Sequence, residues 1–71
     1  MKLNYYADTD SLYIELSAKP SSDSKEIAAG LVVDFDASGN VVGIDIDHAS
    51  QKLDLKSVET TALPTQNVKI A

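Results

Sequence analysis

The stretch that most constrains the fold runs from Asp34 to Asp47 and holds Asp-Ala-Ser-Gly-Asn near its middle. The runs on either side of that centre, 31–35 and 41–46, alternate apolar and polar side chains, which is typical of half-buried strands. Gly39 and Asn40 both tolerate the positive φ angles that tight turns need. The stretch therefore predicts a β-hairpin with one apolar face and with aspartates on the opposite face.

The same stretch also fits the spacing of a calcium loop. If Asp34 is taken as the first position, oxygen-bearing side chains fall at the third, fifth and twelfth positions and glycine falls at the sixth, close to the EF-hand pattern. The flanking runs have the period of strands rather than helices, and the twelfth residue is Asp rather than Glu. We therefore prefer the hairpin, and the alternative is a calcium site formed by Asp34, Asp36, Ser38 and Asp45.

A second hairpin is predicted at the start of the chain. Residues 2–6 and 11–16 alternate in the same way, and the polar segment 7–10 between them is rich in turn formers. Residues 17–25 contain Pro20 and several serines, so they are predicted to form a surface loop, followed by a brief edge strand at 26–29.

The C-terminal third has to cover the apolar face of the sheet. Residues 48–53 could form a helical turn, and a longer helix would end at Pro64. A strand through Val68 and Ile70 and a frayed tail are the alternatives. The expected fold is one domain over residues 1–71, with its core in 2–50. Its class is α+β or mostly β: a small four-stranded antiparallel meander of two hairpins, with a short C-terminal helix or an additional strand in 51–71.

The charge balance argues against some functions. The chain carries 11 acidic residues against 6 lysines, has a net charge of −5 and has no arginine. Nucleic-acid binders cluster Lys and Arg to neutralise phosphates, so no direct nucleic-acid binding is expected. There is no cysteine, and the lone His48 cannot build a zinc site. We expect no cofactor, no catalytic residues and therefore no enzyme, and a cytoplasmic protein without a membrane span.

Exposed tyrosines and outward-facing aspartates are candidates for contacting a partner, because aromatic side chains favour protein interfaces and carboxylates attract basic groups. A small core and open sheet edges also favour a homodimer, in which edges or faces would pair. The candidate partner-binding residues are Tyr6, Tyr13, Asp34, Asp36, Asp45 and Asp47.

Two motifs resemble one bacterial family, domain of unknown function 2283. Tyr5 followed by Asp-Ser-Leu-Tyr-Ile at 10–14 is similar to its first motif. Asp-Phe-Asp at 34–36, Gly-Asn at 39–40, Gly-Ile-Asp-Ile at 43–46 and Ala-Ser at 49–50 are similar to its second. The chain departs from the family pattern at Tyr6, where Asp is usual, and at Asp47, where an apolar residue is common.

The resemblance implies a small antiparallel sheet domain without established catalytic residues. It also suggests the role of an antitoxin-like partner of a small basic toxin, because members are often encoded beside small ribonuclease-like proteins. The expected function is a non-catalytic protein-interaction module whose partner is basic. The alternatives are calcium binding and an acidic inhibitor that mimics nucleic acid.

Overall fold

A computed structural model describes all 71 residues and shows one antiparallel sheet with a single helical turn. The mostly-β class is confirmed, but the sheet has five strands rather than four. No helix is long and apolar enough to cross a membrane. The strands and the helix are β1 (Lys2–Tyr6), β2 (Ser11–Glu15), β3 (Asp23–Ala28), β4 (Leu31–Phe35), β5 (Val41–Ile46) and α1 (Ala49–Lys52).

The additional strand is β3, which pairs with β4 from Asp23 opposite Phe35 to Ala28 opposite Leu31. The brief edge strand predicted at 26–29 is therefore confirmed over 26–28, but it begins earlier, at Asp23, so the prediction of a surface loop continuing to residue 25 is wrong. Every residue of β3 is exposed, because the strand lies at the edge of the sheet. A strand in that position needs no apolar alternation, so the sequence carried no period-two signal for it.

The strands do not follow one another as a meander. Their order is β1-β2-β5-β4-β3, so β5 lies between β2 and β4. Strands β2 to β5 form a Greek key, in which the connection 16–22 crosses the end of the sheet. The backbone N–H groups of Leu16 and Ser17 both donate to the carbonyl oxygen of Val42, at 2.9 and 3.2 Å. This contact holds the start of that connection against β5, the central strand.

The hairpin predicted from Asp34 to Asp47 is confirmed. Strands β4 and β5 pair in antiparallel register, with Val33 opposite Ile44 and an irregularity after Asp34. Gly39 turns the chain with φ of 85°, a conformation that a side chain would strain. The paired flanks are strands, as the periodicity indicated, and not the helices of an EF-hand.

Alternation along the paired strands gives the sheet two different faces. We call one the apolar face; it carries Leu3, Tyr5, Leu12, Ile14, Leu31, Val33, Phe35, Val42, Ile44 and Ile46. We call the other the acidic face; it carries Lys2, Asn4, Tyr6, Ser11, Tyr13, Glu15, Ser24, Glu26, Val32, Asp34, Gly43, Asp45 and Asp47.

The C-terminal third supplies only the one turn of α1. The helical turn predicted at 48–53 is confirmed, but the longer helix and the strand at Val68 and Ile70 are absent: residues 53–71 form neither. Ala49 is fully buried, and its N–H donates to the carbonyl of Asp10. Lys52 Nζ donates to the carbonyl of Ala29 at 3.2 Å. These contacts dock α1 on the turns at one end of the sheet.

Candidate functional site

The acidic face brings together five of the six residues predicted to contact a partner. Asp45 and Asp47 are exposed there, whereas Tyr13 and Asp34 are half-buried. Tyr6 is 52% exposed and lies diagonal to Tyr13, since their direct cross-strand partners are Ser11 and Asn4. The two tyrosines therefore share a face, but only Tyr6 is exposed, with about half of its surface open to solvent.

Tyr13 and Asp34 belong to a hydrogen-bonded row that crosses the sheet. The Tyr13 hydroxyl donates to Asp34 Oδ2 at 2.8 Å, and the Ser24 hydroxyl donates to Asp34 Oδ1 at 2.6 Å. The hydrogen bond to Asp34, followed by desolvation, raises the pKa of Tyr13 to about 12. Both polar groups are thus committed within the chain, and their first role is to tie β2 to β4 across the intervening β5.

Gly43 makes this crossing possible. It lies on β5 opposite Asp34, directly beneath the Tyr13 ring. A Cβ at this position would overlap the Tyr13 hydroxyl and lie 2.7 Å from Cζ. Sequence reasoning missed this contact, although a glycine inside a strand is a known sign of another group approaching the backbone closely.

Asp36 does not lie with the outward-facing aspartates, contrary to the prediction. It is 8% exposed, and its Oδ1 accepts hydrogen bonds from the backbone N–H groups of Ser38 and Asn40, both at 2.9 Å. These bonds, above all the one from Asn40, hold the pKa of Asp36 below its usual range. Asp36 therefore organises the β4–β5 turn, because its carboxylate accepts from amides that have no other acceptor within the turn.

A second polar cluster, also missed from the sequence, centres on Asp10. Its carboxylate accepts the Ser50 hydroxyl at 2.7 Å, the Ser50 N–H at 3.0 Å and the Tyr5 hydroxyl at 2.8 Å. The hydrogen bond from Ser50, followed by that from Tyr5, lowers the pKa of Asp10. The bond to Asp10 also raises the pKa of Tyr5. Asp10 has φ of 52°, and it joins the β1–β2 turn to α1 across forty positions of sequence.

The open part of the acidic face is a shallow depression of about 230 Å³. No lysine Nζ lies within 4 Å of a carboxylate oxygen in the chain; the one close contact between a basic side chain and a carboxylate joins His48 Nε2 to Oδ2 of its neighbour Asp47 at 3.7 Å. The carboxylates that line the depression can therefore accept hydrogen bonds from ammonium or guanidinium groups of another molecule. The depression is lined by Ser11, Glu26, Gly30, Val32, Asp45 and Asp47.

The four candidate calcium ligands do not converge. Asp34 is bound by Tyr13 and Ser24, while Asp36 is turned into its own loop. Asp45 lies on β5 opposite Val32, further along the ladder from Asp34. No three His, Cys, Asp or Glu side chains in the structure form a group that could hold a metal ion.

The fold and these clusters define a small, single-sheet antiparallel β domain with one acidic face and one apolar face. The chain belongs to the family described as "Protein of unknown function (DUF2283)", which it matches over residues 2–50. This match covers all five strands and the start of α1. Comparisons with curated proteins and with solved structures found no match.

The structure gives a scaffold role to most residues that carry the family resemblance. Tyr5, Asp10 and Ser50 form the junction with α1. Asp34 accepts the hydrogen bond of the Tyr13 hydroxyl, and Gly43 leaves room for the Tyr13 ring. Gly39 and Asn40 belong to the turn that Asp36 organises. Of the acidic residues in the second motif, only Asp45 has neither a side-chain hydrogen bond nor an ion pair within the chain.

Proposed function

We propose that this protein is a non-catalytic interaction module that binds a basic protein through its acidic face. The observation that supports this most directly is the lack of internal neutralisation. Five carboxylates share the acidic face with one strand lysine, Lys2; Lys52 of α1 places its ammonium beside Gly30, but none of the six lysines lies within 4 Å of a carboxylate oxygen. Like charges on one sheet face disfavour the isolated domain, so a cationic partner would relieve that cost.

The depression gives the partner a specific place to contact. Glu26, Asp45 and Asp47 come from two strands and the segment after β5, and they line the depression together with the small residues Ser11 and Gly30. A lysine or arginine side chain fits such a shallow acidic recess, with its apolar stem on Val32 and its charge at the rim. Exposed pairs of this kind contribute about 0.2–1 kcal/mol each, so they favour fast association and selectivity more than tight binding.

Tyr6 adds an aromatic contact beside the carboxylates. It is about half exposed on the same face. The ring of a tyrosine next to unpaired acids can contact both the charged groups and the apolar side chains of a basic segment. The family resemblance makes a small basic ribonuclease-like toxin the first partner to test, in which case the protein would act as an antitoxin. An inhibitor that mimics nucleic acid would use the same face on a different target.

The test begins with the intact chain as bait in the cells that naturally produce it, followed by binding measurements on the purified pair. A triple variant, Glu26→Gln, Asp45→Asn and Asp47→Asn, should weaken binding about tenfold or more and reduce its salt dependence. The matched control is Asp8→Asn, Asp54→Asn and Glu59→Gln. It changes the net charge equally but leaves the acidic face intact, so it should bind nearly as well as the natural chain.

Two results would contradict the proposal. Equal loss of binding in both triple variants would mean that net charge alone attracts the partner. Unchanged binding in the first triple variant would place the interface elsewhere. Competition between the protein and nucleic acid for the same basic groove would instead favour the inhibitor alternative.

A further inference from the structure

The apolar face is only partly covered within one chain. Leu12, Val33 and Val42 are buried, but Leu3 is 53% exposed and Tyr5 is 48% exposed. The other side chains of that face, Ile14, Leu31, Phe35, Ile44 and Ile46, are half-buried. A sheet with one apolar face is stable only when another layer packs on it, and the single turn of α1 is too short to supply that layer.

The total exposed surface points the same way. The chain exposes 5783 Å², whereas a folded monomer of this mass exposes ~4,300 Å². The excess is therefore ~1,500 Å², and a standard protein interface removes ~800 Å² from each partner. The C-terminal tail, where Val68 and Ile70 are 78% and 94% exposed, contributes to the excess.

The charges on the two faces decide which surface can meet a copy of itself. Tyr5 is the only ionisable residue of the apolar face, and next to that face the β3 edge carries Asp23 and Lys25, which lie opposite Phe35 and Val33 and have opposite signs. The Tyr5 hydroxyl already donates a hydrogen bond to Asp10 within the chain. A dimer formed through the acidic faces would instead place five carboxylates of one chain against the same five of the other. A twofold contact joins identical patches, so only the apolar face is self-complementary.

We infer that two copies of this chain pack apolar face against apolar face in a twofold-symmetric sandwich. Pairing of edge strands is the competing arrangement, and it would leave the apolar face as open as before. The β3 edge is also irregular between Glu26 and Ala28, which is a common protection against edge pairing. The sandwich leaves both acidic faces in solvent, so it is independent of the proposed partner binding.

The experiment measures the mass in solution of the intact chain by sedimentation or light scattering, over a wide range of concentrations. The natural chain should have twice the 7.6 kDa of one chain. Leu3→Glu should give single chains, because it places a charge in the apolar interface. Tyr6→Glu is the matched control: it lies on the same strand, is equally exposed and points to the acidic face, so it should remain a dimer.

A second measurement keeps the inference testable if Leu3→Glu fails to fold. In a mixed sample of labelled and unlabelled natural chains, intermolecular NMR contacts should join the methyl groups of Ile14 and Ile44. A natural chain that stays monomeric, with tail methyls contacting this face, would overturn the inference. So would a dimer whose intermolecular contacts join β1 backbones, or one that dissociates in Tyr6→Glu and persists in Leu3→Glu.

Discussion

Replacing Gly43 by alanine tests the central contact of the acidic face. In an ordinary strand this change stabilises, because alanine has less conformational freedom to lose than glycine, by about 0.5–1 kcal/mol. Here the new Cβ would overlap the Tyr13 hydroxyl and lie 2.7 Å from Cζ. The ring would have to move, and its hydrogen bond to Asp34 would be lost.

The magnitude follows from these opposing effects. A hydrogen bond to a charged acceptor contributes about 1.5–3 kcal/mol when buried; we take ~1 kcal/mol, since both partners are only half-buried. Overpacking adds about 1–3 kcal/mol. After the alanine gain is subtracted, Gly43→Ala should lower the free energy of unfolding by about 1–3 kcal/mol. That is a large part of the ~4–10 kcal/mol expected for a domain of 71 residues.

The assay is urea unfolding followed by circular dichroism, at one fixed protein concentration, for a double-mutant cycle with Tyr13→Phe. Removing the hydroxyl removes the closest clash, so Gly43→Ala should cost about 1 kcal/mol less when it is combined with Tyr13→Phe. Gly39→Ala is the control, because a Cβ there meets nothing within 4 Å but is strained by φ of 85°. Its cost should be the same with and without Tyr13→Phe. A neutral or stabilising Gly43→Ala, or additive effects in the cycle, would refute the reasoning.

Four further predictions concern the other polar clusters. Asp10→Ala should lower the thermal unfolding midpoint by a few degrees or more and should loosen α1, seen as faster amide exchange at Ser50; unchanged exchange there would contradict the junction. Asp36 has a lowered pKa in the folded chain, so its stabilisation is present above the unfolded pKa and lost as pH falls through the folded value; the stability of Asp36→Ala should therefore fall less steeply than that of the natural chain as the pH is lowered into the acid range. Tyr13 has a raised pKa of about 12, so its contribution is complete below the unfolded value near 10 and is lost between about pH 10 and 12; absorbance titration of Tyr13→Phe against the natural chain isolates that ionisation, and a midpoint near 10 would argue against the bond. A calcium titration monitored by NMR should leave the amides of 34–45 unshifted, and saturable shifts there would restore the calcium alternative.

The local elements of the fold could be predicted from the sequence, because their signals are local. Alternation placed β1, β2, β4 and β5 close to their observed bounds, and Gly39 marked the turn between the last two. The family motifs were recognised over the same region that the family match covers. The helical turn after His48 was also visible. Strand β3 was predicted only in its second half, as a brief edge strand at 26–29, since an edge strand whose residues are all exposed needs no apolar pattern.

The candidate site was predictable only as a set of outward-facing residues. Their alternation placed Tyr6, Tyr13, Asp34 and Asp45 on one face without any knowledge of strand order. It could not reveal that Asp36 turns inward, because its carboxylate is bound by amides that come into place only when the turn closes.

The amino-acid sequence by itself determined that this chain forms hairpins with one apolar and one acidic face, since period-two alternation is a property of each strand alone. Only the tertiary structure decided that β5 enters between β2 and β4, because strand order depends on which backbones pair over long separations. Because of this strand order, the Tyr13 ring lies over Gly43 and its hydroxyl reaches Asp34. The same order places Ser50 within hydrogen-bond distance of Asp10. These contacts join residues from strands and turns far apart in sequence, where no local pattern can register them.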